Sequence, residues 1–267
     1  AKHTMGDLSH EEQKVGIVFG FMKQVLKLSK VFDSHKFVFI WDSKRSLRKK
    51  IYPSYKNRNP FTKEEIVFEN FAFKQFMELR IKTLPKFGFK NIFIQTGMEA
   101  DDIIAIITQN YHREFVIISG DGDLFQLLRT NVEMYSPKKK KLITEETFIQ
   151  KYKITPKEWI MVKRVAGCTS DKVDGISGIG EKRAIQYIKG TLGKKTKGYQ
   201  NILAGQDIID RNKALVELPF EGTKLPTLLD GEKFMLHNFI ELADKYGFRS
   251  FQQITQLNEW ITQFGMK

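Results

Sequence analysis

The sequence predicts an α/β protein with a mostly parallel central sheet flanked by helices, followed by a helical C-terminal region. Three observations carry this expectation. Short apolar runs of strand length recur in the first half of the chain. Segments with apolar residues at helical spacing fill the intervals between those runs. From about Thr144 onward the pattern is helical. Strand and helix in alternation favour parallel pairing, because a parallel connection needs a crossover that a helix supplies.

The elements follow in order. Residues 11–29 carry apolar side chains at Val15, Val18, Phe19, Met22, Val25 and Leu26, which is helical spacing. Residues 36–41 form an apolar run ending at Asp42, and they read as a buried strand. Residues 91–95 and 115–119 have the same form, with helical patterns over about 63–86 and 100–111 between the runs. Thr144 with Thr147 can cap a short helix, and Thr155-Pro156 marks a helix start. A turn-rich passage spans 167–180, and a further helix is expected near 231–246. This order divides the chain into an α/β core over 1–150 and a helical region over 151–267.

Composition narrows the class. A chain of 267 residues with 41% hydrophobic and 28% charged residues can bury a substantial core. Its 22 Phe and 3 Trp exclude disorder as a description of the whole chain. No apolar run approaches the roughly 18 residues of a membrane span, and Ala1, Lys2, His3 and Thr4 do not open a signal peptide. The single cysteine, Cys168, excludes an intrachain disulfide framework and a Cys-rich zinc site, so the cytoplasm is the expected compartment. Lys and Arg number 44 against 31 Asp and Glu, a net charge of +13. That excess points to a polyanionic partner, nucleic acid above all.

Acidic residues stand where the expected strands end. Asp42 follows the first run, Glu99, Asp101 and Asp102 follow the second, and Asp121 and Asp123 follow the third. In an open parallel sheet those ends share one edge, so these carboxylates should converge. Clustered carboxylates repel one another unless cations compensate, and hard divalent ions such as Mg²⁺ suit oxygen ligands. Two such ions can clamp a phosphodiester and activate a water. An Asp after a strand also serves as a helix cap, and one of Asp101 and Asp102 is expected in that role. The five histidines show no metal-ligand spacing.

Two basic segments complete the pattern. In Gly175-Ile176-Ser177-Gly178-Ile179-Gly180-Glu181-Lys182-Arg183, the glycines permit tight turns and close backbone approach. The following helix start, with Lys182 and Arg183, can hold phosphate without reading sequence. Between Arg45 and Arg58, basic residues including Arg48, Lys56 and Arg58 interleave with Tyr52 and Tyr55. That mixture can track a single strand and stack on its bases. Of Phe61, Phe68, Phe71, Phe73 and Phe76, most are expected in the core. The four lysines from Lys138 to Lys141 read as a solvated turn.

Taken together, these motifs resemble the 5′-nuclease superfamily, which includes phage 5′-exonuclease/flap endonucleases and the 5′-nuclease domain of bacterial DNA polymerase I. The resemblance runs in order over most of residues 1–190. It passes through Trp41-Asp42, Tyr55-Lys56-Asn57-Arg58 and Glu99-Ala100-Asp101-Asp102, then Ser119-Gly120-Asp121-Gly122-Asp123, Gly167-Cys168-Thr169-Ser170-Asp171 and the glycine hairpin. It implies a PIN-like 5′-nuclease fold and a metal-dependent 5′→3′ exonuclease/flap endonuclease of DNA replication and repair. By this resemblance, Asp42, Glu99, Asp101 and Asp121 match one group of metal ligands. Asp102, Asp123 and Asp171 match acids around a second ion. Mg²⁺, with Mn²⁺ as a substitute, is the implied metal.

Lys56 and Arg58 match basic catalytic residues of an arch over the active site, beside Arg48 and Tyr55 as DNA contacts. Val173 to Ala184 match a helix–three-turn–helix motif. There Gly175, Gly178, Gly180, Lys182 and Arg183 would grip duplex DNA, and the backbone of Val173, Ile176 and Ile179 would hold K⁺. The implied partner is branched or 5′-ended DNA with a duplex/single-strand junction. The chain would act as a monomer in a bacterial or phage-infected cell, away from any membrane.

Two departures stand out. The family's usual opening strand, with its Asp, has no counterpart here, the sequence opening at residues that resemble those just after it. Cys168 stands where the family usually has Asp. Both departures keep open the reading of a structure-specific DNA-binding protein with an impaired metal site, and an RNA-directed nuclease, as in toxin domains with related acidic sites, is a third reading.

Overall fold

The computed structural model describes residues 9–10, 13–57 and 62–267. The chain forms two compact units, and both are discontinuous in sequence. The first comprises Ala1–Phe39, Asn59–Phe93 and Thr227–Lys267, and the second comprises Ile40–Arg58 and Ile94–Pro226.

The first unit is built around aromatic side chains. Helix Gly16–Val31 buries Val18, Met22, Val25 and Leu26 of the expected stripe and Ile17 besides, while Phe19 is half-buried. The Ile17 and Val18 N–H groups donate to Gln75 Oε1 at 3.0 and 3.3 Å. Two amides at a helix start, which have no partner within the helix, are thereby satisfied. Gln75 lies on helix Lys63–Glu78, which opens with a capping box between Thr62 and Glu65.

The predicted helix over 63–86 is not continuous. It passes through a π-turn at Leu79–Thr83 into Leu84–Phe87, and Gly88 ends it at φ 124°. A Cβ at Gly88 would overlap the Lys233 carbonyl, so glycine is required on two counts.

Within Lys63–Glu78 only Ala72 and Gln75 are buried. Phe73 is exposed, while Phe68, Phe71 and Phe76 are half-buried. This corrects the expectation that these rings belong to the core, and Phe61 lies outside the described residues. The buried line Ala72, Gln75, Leu79 holds one residue per turn, too narrow to take the rings as well. The aromatic core lies elsewhere. Phe87 meets Phe264 edge-on at 5.2 Å, Phe89 meets Phe234 at 5.0 Å, and Trp260 stacks on Phe264 at 5.4 Å. The expected helix near 231–246 forms over Leu236–Lys245, and Ile254–Phe264 follows it.

The expected strands are present but short. The run 36–41 is paired only over Phe39–Ile40, against Ile92–Phe93. The run 115–119 is paired over Phe115–Ile118. In the second unit Phe115–Ile118 lies parallel to Val132–Ser136, which pairs antiparallel with Lys141–Ile143. Hydropathy marks burial, whereas a ladder also needs a second backbone about 5 Å away. The chain is therefore α/β with a small sheet. Lys138, Lys139 and Lys140 are exposed in the hairpin turn, as a solvated lysine run should be.

The core of the second unit joins Ile117, Leu124, Met134, Phe148, Trp159, Val162 and Val165. Helix Glu145–Tyr152 starts at the Thr144–Thr147 cap, and helix Pro156–Ala166 starts at a Thr155–Glu158 capping box. Trp159 Nε1 donates to the Gly122 carbonyl at 2.8 Å, tying that helix to the Asp121–Asp123 turn.

Candidate active site

All the described candidate residues belong to the second unit. Asp42 Oδ1 accepts the Ala100 N–H at 2.8 Å, at the start of helix Ala100–Asn110. Asp102, three residues into that start, accepts the Glu99 N–H at 3.0 Å. Asp121 Oδ1 accepts the Asp123 N–H at 2.9 Å and caps the turn Gly122–Leu127. Caps thus aim acids from three separated stretches.

Their convergence shows electrostatically. The Asp101 carboxyl is pushed up to about 7 by burial and by the neighbouring charges of Asp121, Asp42 and Glu99, against the pull of Lys56. A carboxyl raised this way stands among other carboxylates with too little positive charge nearby. Carboxylates suit a hard divalent cation, but among the described residues only Asp123, Cys168 and Asp171 bring three candidate ligand atoms within 4.8 Å of one another.

Beneath this group the structure corrects three assignments. Arg48, expected at a DNA surface, is 2% exposed. Its guanidinium donates to Asp102 at 2.7 Å through each terminal nitrogen and to the Leu215 carbonyl at 2.9 Å. Burial lowers its pKa, but the Asp102 contact outweighs that and holds the group charged. Asp102, expected as a metal ligand, is fully buried, and it also accepts the Phe220 N–H at 2.8 Å. With Arg48 on both oxygens and two amides besides, it is a structural carboxylate and the inner member of the capping box that Glu99 opens. Tyr55, expected to stack on DNA, is 2% exposed. Its hydroxyl donates toward Glu99 at 2.9 Å and lies 3.3 Å from Asp171. Burial, with those two acids, pushes its pKa well above the ordinary range, so it remains a donor.

Lys56 enters the acidic group. Its Nζ lies 2.8 Å from Glu99 Oε2 and 3.7 Å from Asp171 Oδ2. Burial lowers its pKa, and the Glu99 contact more than restores it. The backbone at Lys56 has φ 49°, and its N–H donates to the Asp171 carbonyl at 2.7 Å. Glu99 is therefore partly occupied by protein partners. Arg58 lies outside the described residues.

A second group differs in chemistry. The ligand atoms of Asp123, Cys168 and Asp171 all lie within 4.8 Å of one another. Cys168 Sγ is 3.0 Å from Ser170 Oγ and 3.6 Å from Asp123 Oδ2, and burial with the Asp123 charge raises its pKa. Burial likewise raises that of Asp171, as do the charges of Asp123, Glu99 and Asp121 against the pull of Lys56. Lys163 Nζ reaches Asp123 at 2.9 Å and Glu181 at 3.0 Å. Burial works against the Lys163 charge, but Asp123 and Glu181 outweigh it and raise the pKa. A thiol and an already paired carboxylate fit Mg²⁺ poorly.

Lys163 was not among the residues singled out from sequence. A signal was present, because it follows Trp159 by four residues on the apolar face of its helix. A lysine on a buried face needs a partner.

The glycine passage links two helices. After Pro156–Ala166, Gly167–Cys168 pairs antiparallel with Val173–Asp174, and Glu181–Ile188 follows. A Cβ at Gly175 would lie 2.6 Å from the Gly167 nitrogen and overlap the Ala166 carbonyl. Gly175 therefore serves close packing of backbone on backbone. Gly178 has φ 76°, and its carbonyl accepts from Arg183 Nη1 at 2.8 Å. Gly180 is the N-cap of Glu181–Ile188, with open space where a Cβ would stand.

Lys182 and Arg183 are exposed. The side chains of Val173, Ile176 and Ile179 are buried, and the Ile176 carbonyl accepts the Ile179 N–H at 2.9 Å. Tyr52 and Asn212 brace this passage. Tyr52 donates to Asp174 Oδ2 at 2.8 Å, and Asn212 Nδ2 donates to the Arg164 and Asp174 carbonyls, each at 2.9 Å.

Comparison with known proteins identifies the family. Residues 3–153 match the family described as 5′-3′ exonuclease, N-terminal resolvase-like domain. The thermostable DNA polymerase I of Thermus caldophilus is 30% identical over 268 residues, covering 95% of this chain. This chain spans 30% of that polymerase. The 5′-3′ exonuclease of Buchnera aphidicola subsp. Schizaphis graminum is 31% identical over 222 residues, 81% of this chain and 70% of the relative. The fold resembles that of T5 5′-exonuclease with divalent metal ions (zinc) bound, with TM-score 0.64 and 24% identity over 76% of this chain and 82% of that one. It also resembles the catalytic core of Rad2 in complex with DNA substrate, with TM-score 0.55 and 15% identity over 87% and 81% of the two chains. With a family match over more than half its length and a relative of the same kind covered over most of its own, this chain belongs to the 5′-3′ exonuclease family.

Proposed function

We propose that the chain is a structure-specific 5′ nuclease, a 5′→3′ exonuclease and flap endonuclease that hydrolyses DNA phosphodiesters with a divalent cation. The observation that supports this is the place of Asp42, whose Oδ1 accepts the Ala100 N–H at the start of the helix that carries Asp101. Asp42, Asp101 and Asp121, with the free part of Glu99, would hold the ion. Mg²⁺ is the proposed metal and Mn²⁺ its substitute. When bound, such an ion lowers the pKa of a water and stabilises charge on the phosphate.

The chain's own residues do the rest. Lys56 places an ammonium among the acids, where it can turn to a phosphate oxygen. Tyr55 and Arg48 hold Glu99 and Asp102 from below, so the acids keep their spacing. Lys182, Arg183 and the amides behind Gly180 present a phosphate-binding surface to duplex DNA. Carbonyls of Val173, Ile176 and Ile179 are the proposed K⁺ ligands. In this reading residues 1–150 form the nuclease core, a functional division that cuts across the two compact units. Residues 151–267 form the DNA-binding region.

The proposed substrate is branched or 5′-ended DNA with a duplex/single-strand junction, met by a monomer in the cytoplasm of a bacterial or phage-infected cell. Among the described residues no helix is long and apolar enough to cross a membrane.

The test is cleavage of a labelled 5′-flap duplex with Mg²⁺ or Mn²⁺ against an EDTA control, with an RNA flap in parallel. Metal-dependent cutting of the DNA flap near the junction is expected. Tight flap binding without cutting would favour the DNA-binding reading, which the pairing of Asp123 with Lys163 and the thiol of Cys168 motivate. Preference for the RNA flap would favour an RNA-directed enzyme.

A further inference from the structure

The Asp123–Cys168–Asp171 group has the spacing of a metal site but not its charge. Lys163 Nζ lies 2.9 Å from Asp123 Oδ1, and Lys56 Nζ lies 3.7 Å from Asp171 Oδ2. Two carboxylates and a thiol thus meet two ammonium groups, of which Lys163 is shared with Glu181 and Lys56 sits closer to Glu99 than to Asp171. The side chain of Lys163 is 9% exposed, so water screens its charge little. It is also held by Glu181 at 3.0 Å and packs over the Trp159 ring at 5.7 Å, so it is built into the wall rather than draped over it.

A divalent ion entering here would face that ammonium at close range and give up water for a sulfur ligand. Mg²⁺ asks for an octahedron of oxygens and sheds water reluctantly. Sulfur suits soft ions instead.

We propose that the Asp123–Cys168–Asp171 pocket takes no second Mg²⁺ or Mn²⁺, its charge being met from within by Lys163. The chain then holds one hard ion where its acidic layout has room for two. This rests on the reading of Asp42, Asp101 and Asp121 as the first ion's ligands. Lys163 also touches Glu181, the first residue of the helix that carries Lys182 and Arg183. The positive charge in the pocket is therefore fixed to the helix proposed to hold duplex DNA.

The experiment counts Mn²⁺ bound by the full chain, using calorimetry and the paramagnetic resonance signal of unbound Mn²⁺. One ion per chain is expected, lost in Asp101→Asn and retained in Cys168→Ala. Cys168→Asp combined with Lys163→Met should gain a second ion. Cys168→Asp alone, which leaves the Lys163 contacts in place, should gain one at least about tenfold more weakly, a difference of about 1.4 kcal/mol. Circular dichroism identifies any variant that fails to fold.

Two ions of similar affinity in the unmodified chain, one of them lost in Cys168→Ala, would overturn the proposal. So would a folded double variant that gains nothing. An unmodified chain that binds no ion while the double variant binds one would instead remove the first-site reading and leave this one standing.

Discussion

Arg48 grips Asp102 with both terminal guanidinium nitrogens, each 2.7 Å from a carboxylate oxygen, in a pair almost without solvent contact. Removing one member strands a buried charge. Arg48→Ala should lower unfolding free energy by about 3–5 kcal/mol, read from the urea midpoint. Replacing the pair together, Arg48→Met with Asp102→Leu, should recover much of that loss. A double variant destabilised by the sum of the Arg48→Met and Asp102→Leu losses would mean that the pair contributes no coupling.

Asp101 should limit stability in the metal-free protein. Its folded pKa, about 7, lies above the ordinary 3.8. The fold therefore favours the protonated carboxyl. That contribution is complete below about pH 3.8 and lost as pH rises through about 7. Asp101→Asn should raise the thermal midpoint by about 2–8 °C at pH 8 without divalent ions, and change it little at pH 3.5. The same substitution should abolish metal-dependent cleavage while DNA binding persists. A variant that melts no higher at pH 8 would place Asp101 outside the crowded group.

Lys56 and Tyr55 share Glu99 as a partner, but their losses should differ in kind. Lys56→Met should reduce the cleavage rate by about 10²–10³ with the fold retained, because a positioned cation is removed. Tyr55→Phe should cost about 1–2 kcal/mol of stability, since a buried carboxylate loses a donor. Its effect on cleavage should be smaller than that of Lys56→Met. Rates and denaturation midpoints on the same preparations separate the two effects.

The glycines of the hairpin should divide by position. Gly175→Ala would drive a Cβ into the Ala166 carbonyl and should destabilise by more than about 3 kcal/mol, or prevent folding. Gly180→Ala meets open space and should leave the melting temperature nearly unchanged. If duplex DNA approaches this turn, Gly180→Ala should still weaken binding. Unchanged affinity would move the contact elsewhere.

Lys182→Ala with Arg183→Ala should lower duplex affinity and reduce the slope of log K against log salt by about 1–2. Arg183 also donates to the Gly178 carbonyl, so Arg183→Lys tests whether charge alone suffices. A slope that does not move would argue against phosphate contact.

Much of this protein is legible along the chain. Periodicity marked helix Gly16–Val31 and the strands at Phe39 and Phe115, and the Thr144 and Thr155 caps marked helix starts. The positions of Asp42, Asp101 and Asp121 after apolar runs announced acids at strand ends. These are local properties, since the physics behind each acts within a few residues.

Other features depended on partners far away in sequence. Arg48 and Asp102 are 54 residues apart, and nothing near either says that they meet inside the core. Tyr55 looked like a stacking residue until Glu99, 44 residues away, received its hydroxyl. Lys163 reached Asp123 only because helix Pro156–Ala166 packs on the turn beyond Asp121. Which residues carry charge and where the chain turns can be read from local sequence. Tertiary structure alone decided which charges are cancelled, because cancellation depends on distance and burial, and neither is a property of one residue's neighbours in the chain.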